Sequence, residues 1–71
     1  MNSERGGCRF VVKTDEGKPE IQLELFHDTV SHLKGFKVGF EVLSGTTGDQ
    51  ARTLADAMNE RIIGVIVTPN G

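Results

Sequence analysis

Between Thr47 and Thr68 the hydrophobic period changes with no linker, and that change restricts the fold more than any other feature of the chain. The stretch is TGDQARTLADAMNERIIGVIVT. Ala51, Leu54, Ala55, Met58 and Ile62 stand at i, i+3, i+4, i+7 and i+11, one stripe of a 3.6-residue helix. Thr47 and Gln50 have the form of a capping box, in which hydroxyl and amide each satisfy an orphan backbone group. Asp49 in the first turn and Arg61 in the last suit the helix dipole. Ile62 to Val67 is then largely β-branched and apolar on both faces, the pattern of a buried strand. An amphipathic helix that runs straight into such a strand needs a sheet to lie on. The upstream chain has to supply it.

Two upstream segments form a hairpin. Cys8 to Thr14 puts Cys8, Phe10 and Val12 on one face and Arg9, Val11 and Lys13 on the other. Asp15-Glu16-Gly17-Lys18-Pro19 is turn chemistry, and Glu20 to Leu25 alternates polar with apolar as a half-buried strand does. A turn centred between Glu16 and Gly17 sets Val12 opposite Ile21 and Phe10 opposite Leu23 on the inner face. It sets Lys13 opposite Glu20, Val11 opposite Gln22 and Arg9 opposite Glu24 on the outer one. Apolar pairing and charge pairing therefore agree on one register, and a slip of one residue would place the apolar set in water.

The segment from Phe26 to Gly35 is expected to be a turn or short helix capped by Asp28 or Thr29, with Val30 and Leu33 inward. A third strand spans Phe36 to Leu43, with Phe36, Val38, Phe40 and Val42 facing in. The resulting fold class is α+β: a two-layer sandwich with a three- to four-stranded mixed sheet, in the order β-β-β-α-β, and one long helix on one face. The last strand is expected to run parallel to its neighbour through a right-handed crossover. An inner place suits its apolar faces, and spatial order 4-1-2-3 is preferred over 1-2-3-4. The division of the chain is a flexible lead-in over 1–7, a single domain over 8–68 and a tail over 69–71. The expected core is Phe10, Val12, Ile21, Leu23, Phe36, Val38, Phe40, Val42, Leu54, Met58, Val65 and Val67.

Seventy-one residues make one small domain, which buries only about 60% of its unfolded surface and needs some further source of stability. Cys8 is the only cysteine, so no disulfide forms within one chain. Cys8, His27, His32 and a carboxylate match no zinc-ligand spacing. Elimination leaves self-association. The formal charge is −2 with both signs interspersed, which is the balance of a mixed surface rather than of a polyelectrolyte binder. No apolar run approaches a membrane span and no signal-peptide core follows Met1, so the expected location is the cytoplasm, away from membranes.

Motifs that could carry chemistry are few. His27 and His32 are the one candidate metal pair, but five residues apart they do not share a helix face, and two loop histidines are the plainer reading. Ser44, Gly45, Thr46, Thr47 and Gly48 precede a helix N-terminus and could hold an anion. They lack the lysine and the length of a phosphate-binding loop, and Asp49 opposes an anion there. Cys8 next to Arg9 could be a nucleophile, but an inward-facing cysteine is ordinarily a small apolar residue. No catalytic set and no cofactor is expected.

The function this supports is a non-catalytic protein-interaction module that pairs with itself and with an unidentified protein. The candidate dimer edge is Phe36, Lys37, Val38, Gly39, Phe40 and Glu41, since antiparallel pairing about Gly39 sets Lys37 against Glu41 twice. The outer sheet face is a second candidate surface, with Val11 and Gly39 at its flat centre. The alternatives are a dimeric nucleic-acid-associated regulator using Lys34, Lys37, Arg52 and Arg61, or a small-anion binder at the Ser44–Gly48 loop. Nucleic acid is the weaker case, because the sheet face mixes charges and the chain has neither tryptophan nor tyrosine.

Overall fold

The computed structural model describes residues 3–27, 30–33 and 35–68, with His32 described by its backbone alone. The expected cap at Asp28 or Thr29, the side chain of Lys34 and the tail over 69–71 lie outside the described residues. In chain order the elements are β1 (Glu4–Asp15), β2 (Lys18–Leu25), a 3-10 turn (Ser31–Leu33), β3 (Val38–Glu41), α1 (Gly48–Arg61) and β4 (Gly64–Val67). The strands form one sheet in the order β3-β2-β1-β4, with α1 on one face.

The β1–β2 hairpin has the register that charge and apolarity dictate: Val12↔Ile21, Phe10↔Leu23, Lys13↔Glu20, Val11↔Gln22 and Arg9↔Glu24. Arg9 Nε lies 2.7 Å from Glu24 Oε1. Lys13 makes no ion pair with Glu20 among the described residues; Glu20 Oε1 instead accepts from Gln22 Nε2. Glu16 and Gly17 both have positive φ, 51° and 77°, the geometry of a two-residue hairpin loop that follows the strand twist.

The N-terminal segment departs from expectation. Residues 4–7 are not a loose lead-in but the first third of a 12-residue strand. That segment pairs with β4 through Glu4↔Val67, Arg5↔Ile66, Gly6↔Val65 and Gly7↔Gly64. Gly64 is required there, because a Cβ on it would run into the Gly6 carbonyl oxygen. On the other side of β1, the Phe26 N–H donates to Gly7 O at 3.1 Å, and the Glu4 carboxylate accepts from Ser31 N and Oγ, which ties the 3-10 turn to the sheet.

The sheet is wholly antiparallel, not mixed. The reason lies in how β1 is shared. Its C-terminal two-thirds pair with β2 and its N-terminal third pairs with β4. The helix descends antiparallel to β1 and β4 continues in the same direction, so the chain never reverses and no crossover forms. β4 is an outer strand, not an inner one, and Ile63 and Ile66 are exposed. The long β1 also stretches the molecule. The radius of gyration is 13.4 Å, against roughly 11 Å for a compact chain of this length.

The capping box forms as its residues require: Gln50 N donates to Thr47 Oγ1 and Thr47 N donates to Gln50 Oε1. The helix sits on β1 and β2 through alanines. Ala51 and Ala55 are buried with Cys8, Phe10, Ile21 and Val30, and Met58 and Val65 pack at the margin. Small side chains allow close approach but cover little width. Three expected core residues are therefore exposed. Leu54 lies on the helix flank, Phe40 lies beyond the helix on β3, and Phe36 precedes β3, which is ordered as a strand only over Val38–Glu41.

Candidate functional site

A sheet of this order leaves β3 as one open edge. β2 pairs with it through Glu20↔Glu41, Ile21↔Phe40, Gln22↔Gly39 and Leu23↔Val38. Which backbone groups are free follows from alternation. Cys8 N bonds to Ile63 O and Phe10 N bonds to Asn59, both on the β4 side of β1. Odd-numbered residues of β1 therefore face β2, and Ile21 and Leu23 of β2 face β3. Val38 and Phe40 complete those bonds. The N–H and C=O groups of Gly39 and Glu41 are left pointing out from the edge, and Lys37 directly precedes it.

Side chains on the same edge divide by face. Val38 and Phe40 lie on the inner face, and the Phe40 ring rests against Phe10 with centroids 6.1 Å apart. Lys37 and Glu41 lie on the outer face. Neither has an ion-pair partner among the described residues. Glu41 stands across from Glu20, so two carboxylates are side by side, and a cation arriving from a further strand would relieve them. Gly39 leaves the backbone open between them. The second candidate surface also assembles: Val11, Gln22 and Gly39 form one row across the outer face.

The other expected sites are placed less favourably. The Ser44–Gly48 loop is a tight turn, with Thr46 N donating to Leu43 O and Gly45 at φ 88°. The capping box occupies the amides of Thr47 and Gln50, two of those an anion would use. The cleft beside the loop is lined by Asp15, Glu16, Glu20 and Glu41 against one lysine, Lys18, a field that repels anions. His27 is exposed, the His32 side chain lies outside the described residues, and no group of three or more metal-ligating side chains gathers among those described. Cys8 is buried, and desolvation pushes its thiol above the ordinary value, which disfavours the thiolate a nucleophile needs. Of the basic residues considered for nucleic acid, Arg52 pairs with Asp49 at 3.3 Å. Arg61, nine residues on, falls on the opposite side of the helix, and Lys37 directly precedes β3. They do not form one stripe.

One residue that organises the edges escaped the sequence reading. Asn59 Oδ1 accepts from Phe10 N at 2.7 Å and Asn59 Nδ2 donates to Phe10 O at 2.9 Å. The side-chain amide takes the place of a strand residue where β4 gives way to helix, and so closes β1 above β4. The signal was available: Asn59 follows Ala51 and Ala55 at intervals of four, on the face of the helix that meets the sheet.

No helix among the described residues is long and apolar enough to cross a membrane. Comparison with protein-family models, with curated proteins and with solved structures returned no match.

Proposed function

We propose that this chain is a non-catalytic protein-interaction module whose first partner is a second copy of itself, paired edge to edge through β3. The observation that carries this is the coincidence of free backbone and unpaired charge at one edge: Gly39 and Glu41 direct their backbone groups outward, and the side chains of Glu41 and of Lys37, which directly precedes the strand, lack ion-pair partners among the described residues. A two-fold axis at Gly39 satisfies both at once. Gly39 meets its own copy, Lys37 meets Glu41 twice, and on the inner face Val38 meets Phe40 and Phe36 meets Val42. Each contact is reciprocal, as a closed two-fold interface requires. The exposed rings of Phe36 and Phe40 gain apolar neighbours in the same step. The lone cysteine and the mixed charges fit action in the cytoplasm, which belongs to this reading.

Charge exchange tests it. Lys37→Glu alone and Glu41→Lys alone each set like charges together twice, and each variant is expected to sediment as a monomer. Mixed in equal amounts, they restore two opposite-charge pairs, and a heterodimer is expected. Variants that dimerise singly as the parent does, or that fail to recombine when mixed, count against the β3 edge.

A further inference from the structure

The opposite edge has a different chemistry. By the same alternation, Ile63, Val65 and Val67 direct their backbone groups to β1, so those of Gly64 and Ile66 point away from the sheet. Ile63 is 90% exposed and Ile66 59% exposed. No charge, proline or bulge interrupts Gly64–Val67, although natural edges carry such guards to prevent unwanted pairing. A depression of about 500 Å³ lies along this strand, lined by Gly6, Gly7, Ile62 to Ile66 and two arginines, Arg5 and Arg61. Arg9 and Arg52 are paired with carboxylates. Arg5 and Arg61 have no such partner among the described residues.

We propose that the β4 edge binds an extended segment of another protein as an added strand, apolar at alternate positions and acidic between them. Backbone groups of Gly64 and Ile66 supply the ladder; on the outer face Arg5, which stands across from Ile66, meets the acidic positions, on the helix face Ile63 and Val65 meet the apolar ones, and Arg61 adds a second cation to the same depression. A second copy of this chain is the wrong occupant, because β4 paired with itself brings the arginines of both copies to one seam. An anionic membrane surface would meet the arginines and the isoleucines but leaves the strand ladder unmade. An acidic strand satisfies all three.

The test uses the full chain, labelled with nitrogen-15, and two blocked heptapeptides, one alternating Glu with Val and one alternating Lys with Val. The Glu peptide is expected to shift the Gly64 and Ile66 amides and to saturate below about 1 mM, with the Lys peptide at least about tenfold weaker. In Arg5→Glu combined with Arg61→Glu the preference between the peptides should invert. Shifts confined to other residues, equal binding of the two peptides, or no saturation at that concentration overturn the proposal. So does binding of the chain to phosphatidylglycerol vesicles with no response to the Glu peptide. Because β3 is untouched by these variants, a failure here is separate from a failure of self-pairing.

Discussion

Phe10 and Phe40 touch, yet Phe10 is 5% exposed and Phe40 43%. Both belong to alternating strands and both face the same side of the sheet. What separates them is lateral position. β1 runs beneath the helix, where Ala51 and Ala55 let the two layers close, and Asn59 seals its backbone. β3 lies two strands away, past the reach of a helix whose contact face is alanine. The same pattern of residues therefore makes a dry core in one strand and an exposed face in the other. Period decides which face a side chain takes; the width of the covering helix decides whether that face is dry.

The sharpest way to break this comparison is to truncate both rings. Phe10→Ala should cost about 3–5 kcal/mol, most of the total stability of roughly 4–10 kcal/mol expected for a domain of this size. Phe40→Ala should cost about 1–2 kcal/mol in the isolated chain, because much of that ring is already in water, but should weaken self-association. Leu54→Ala belongs with Phe40, at about 1–2 kcal/mol, since the flank of the helix leaves it half exposed. Urea unfolding checks all three. Equal costs for Phe10 and Phe40 would mean that the helix covers β3 after all.

Asn59→Ala comes next. It leaves the Phe10 N–H and C=O without partners in a partly buried site and should cost about 1–3 kcal/mol. Amide hydrogen exchange at Phe10 should rise with it, while the hairpin bonds between β1 and β2 keep their protection. A variant as stable as the parent would show that the edge of β1 needs no closure.

How much of this was visible beforehand differs by element. The hairpin register was legible in full, because Arg9, Lys13, Glu20 and Glu24 mark one face while Phe10, Val12, Ile21 and Leu23 mark the other. The capping box at Thr47 and Gln50 was equally plain, being a local motif whose partners lie three residues apart. Strand order followed from pairing β4 with β1, but its direction did not. Helix length against strand length decides whether the chain turns back, and the 14-residue helix ends short of Gly64, which stands across from Gly7, leaving a free stretch of β1 below. The strand character of 4–7 was hidden for a related reason. Gly6 and Gly7 read as a loose segment, whereas the Gly6 carbonyl oxygen lies where a Cβ on Gly64 would sit and the Phe26 ring packs over Gly7. The candidate edge at β3 was proposed from Lys37, Gly39 and Glu41. The direction of its free amides needed the bonds made by Cys8 and Phe10.

The smallest expected effect concerns the hairpin that anchors the closed side. Glu16 occupies a left-handed conformation at φ 51°, which costs a residue with an ordinary side chain roughly 1 kcal/mol. Glu16→Asn makes the Asn-Gly pair that this loop prefers and should raise stability by about 0.5–1 kcal/mol in thermal or urea melts. It should leave self-association unchanged, since the turn lies outside both edges. A loss of stability would contradict the assigned turn.

Self-pairing of β3 is the central claim, and sedimentation of Gly39→Pro beside the parent tests it most directly. Gly39 N–H points away from β2, and a Cβ there would meet only ordinary contacts, the nearest at 3.7 Å from Glu20 Oε1. Proline at an outward position of an edge strand removes no bond within the chain. It removes a donor at the proposed axis, once in each copy. The parent should sediment as a dimer at micromolar concentration and Gly39→Pro as a folded monomer. A parent that sediments at 7.7 kDa, or a Gly39→Pro dimer as tight as the parent's, would contradict pairing through β3.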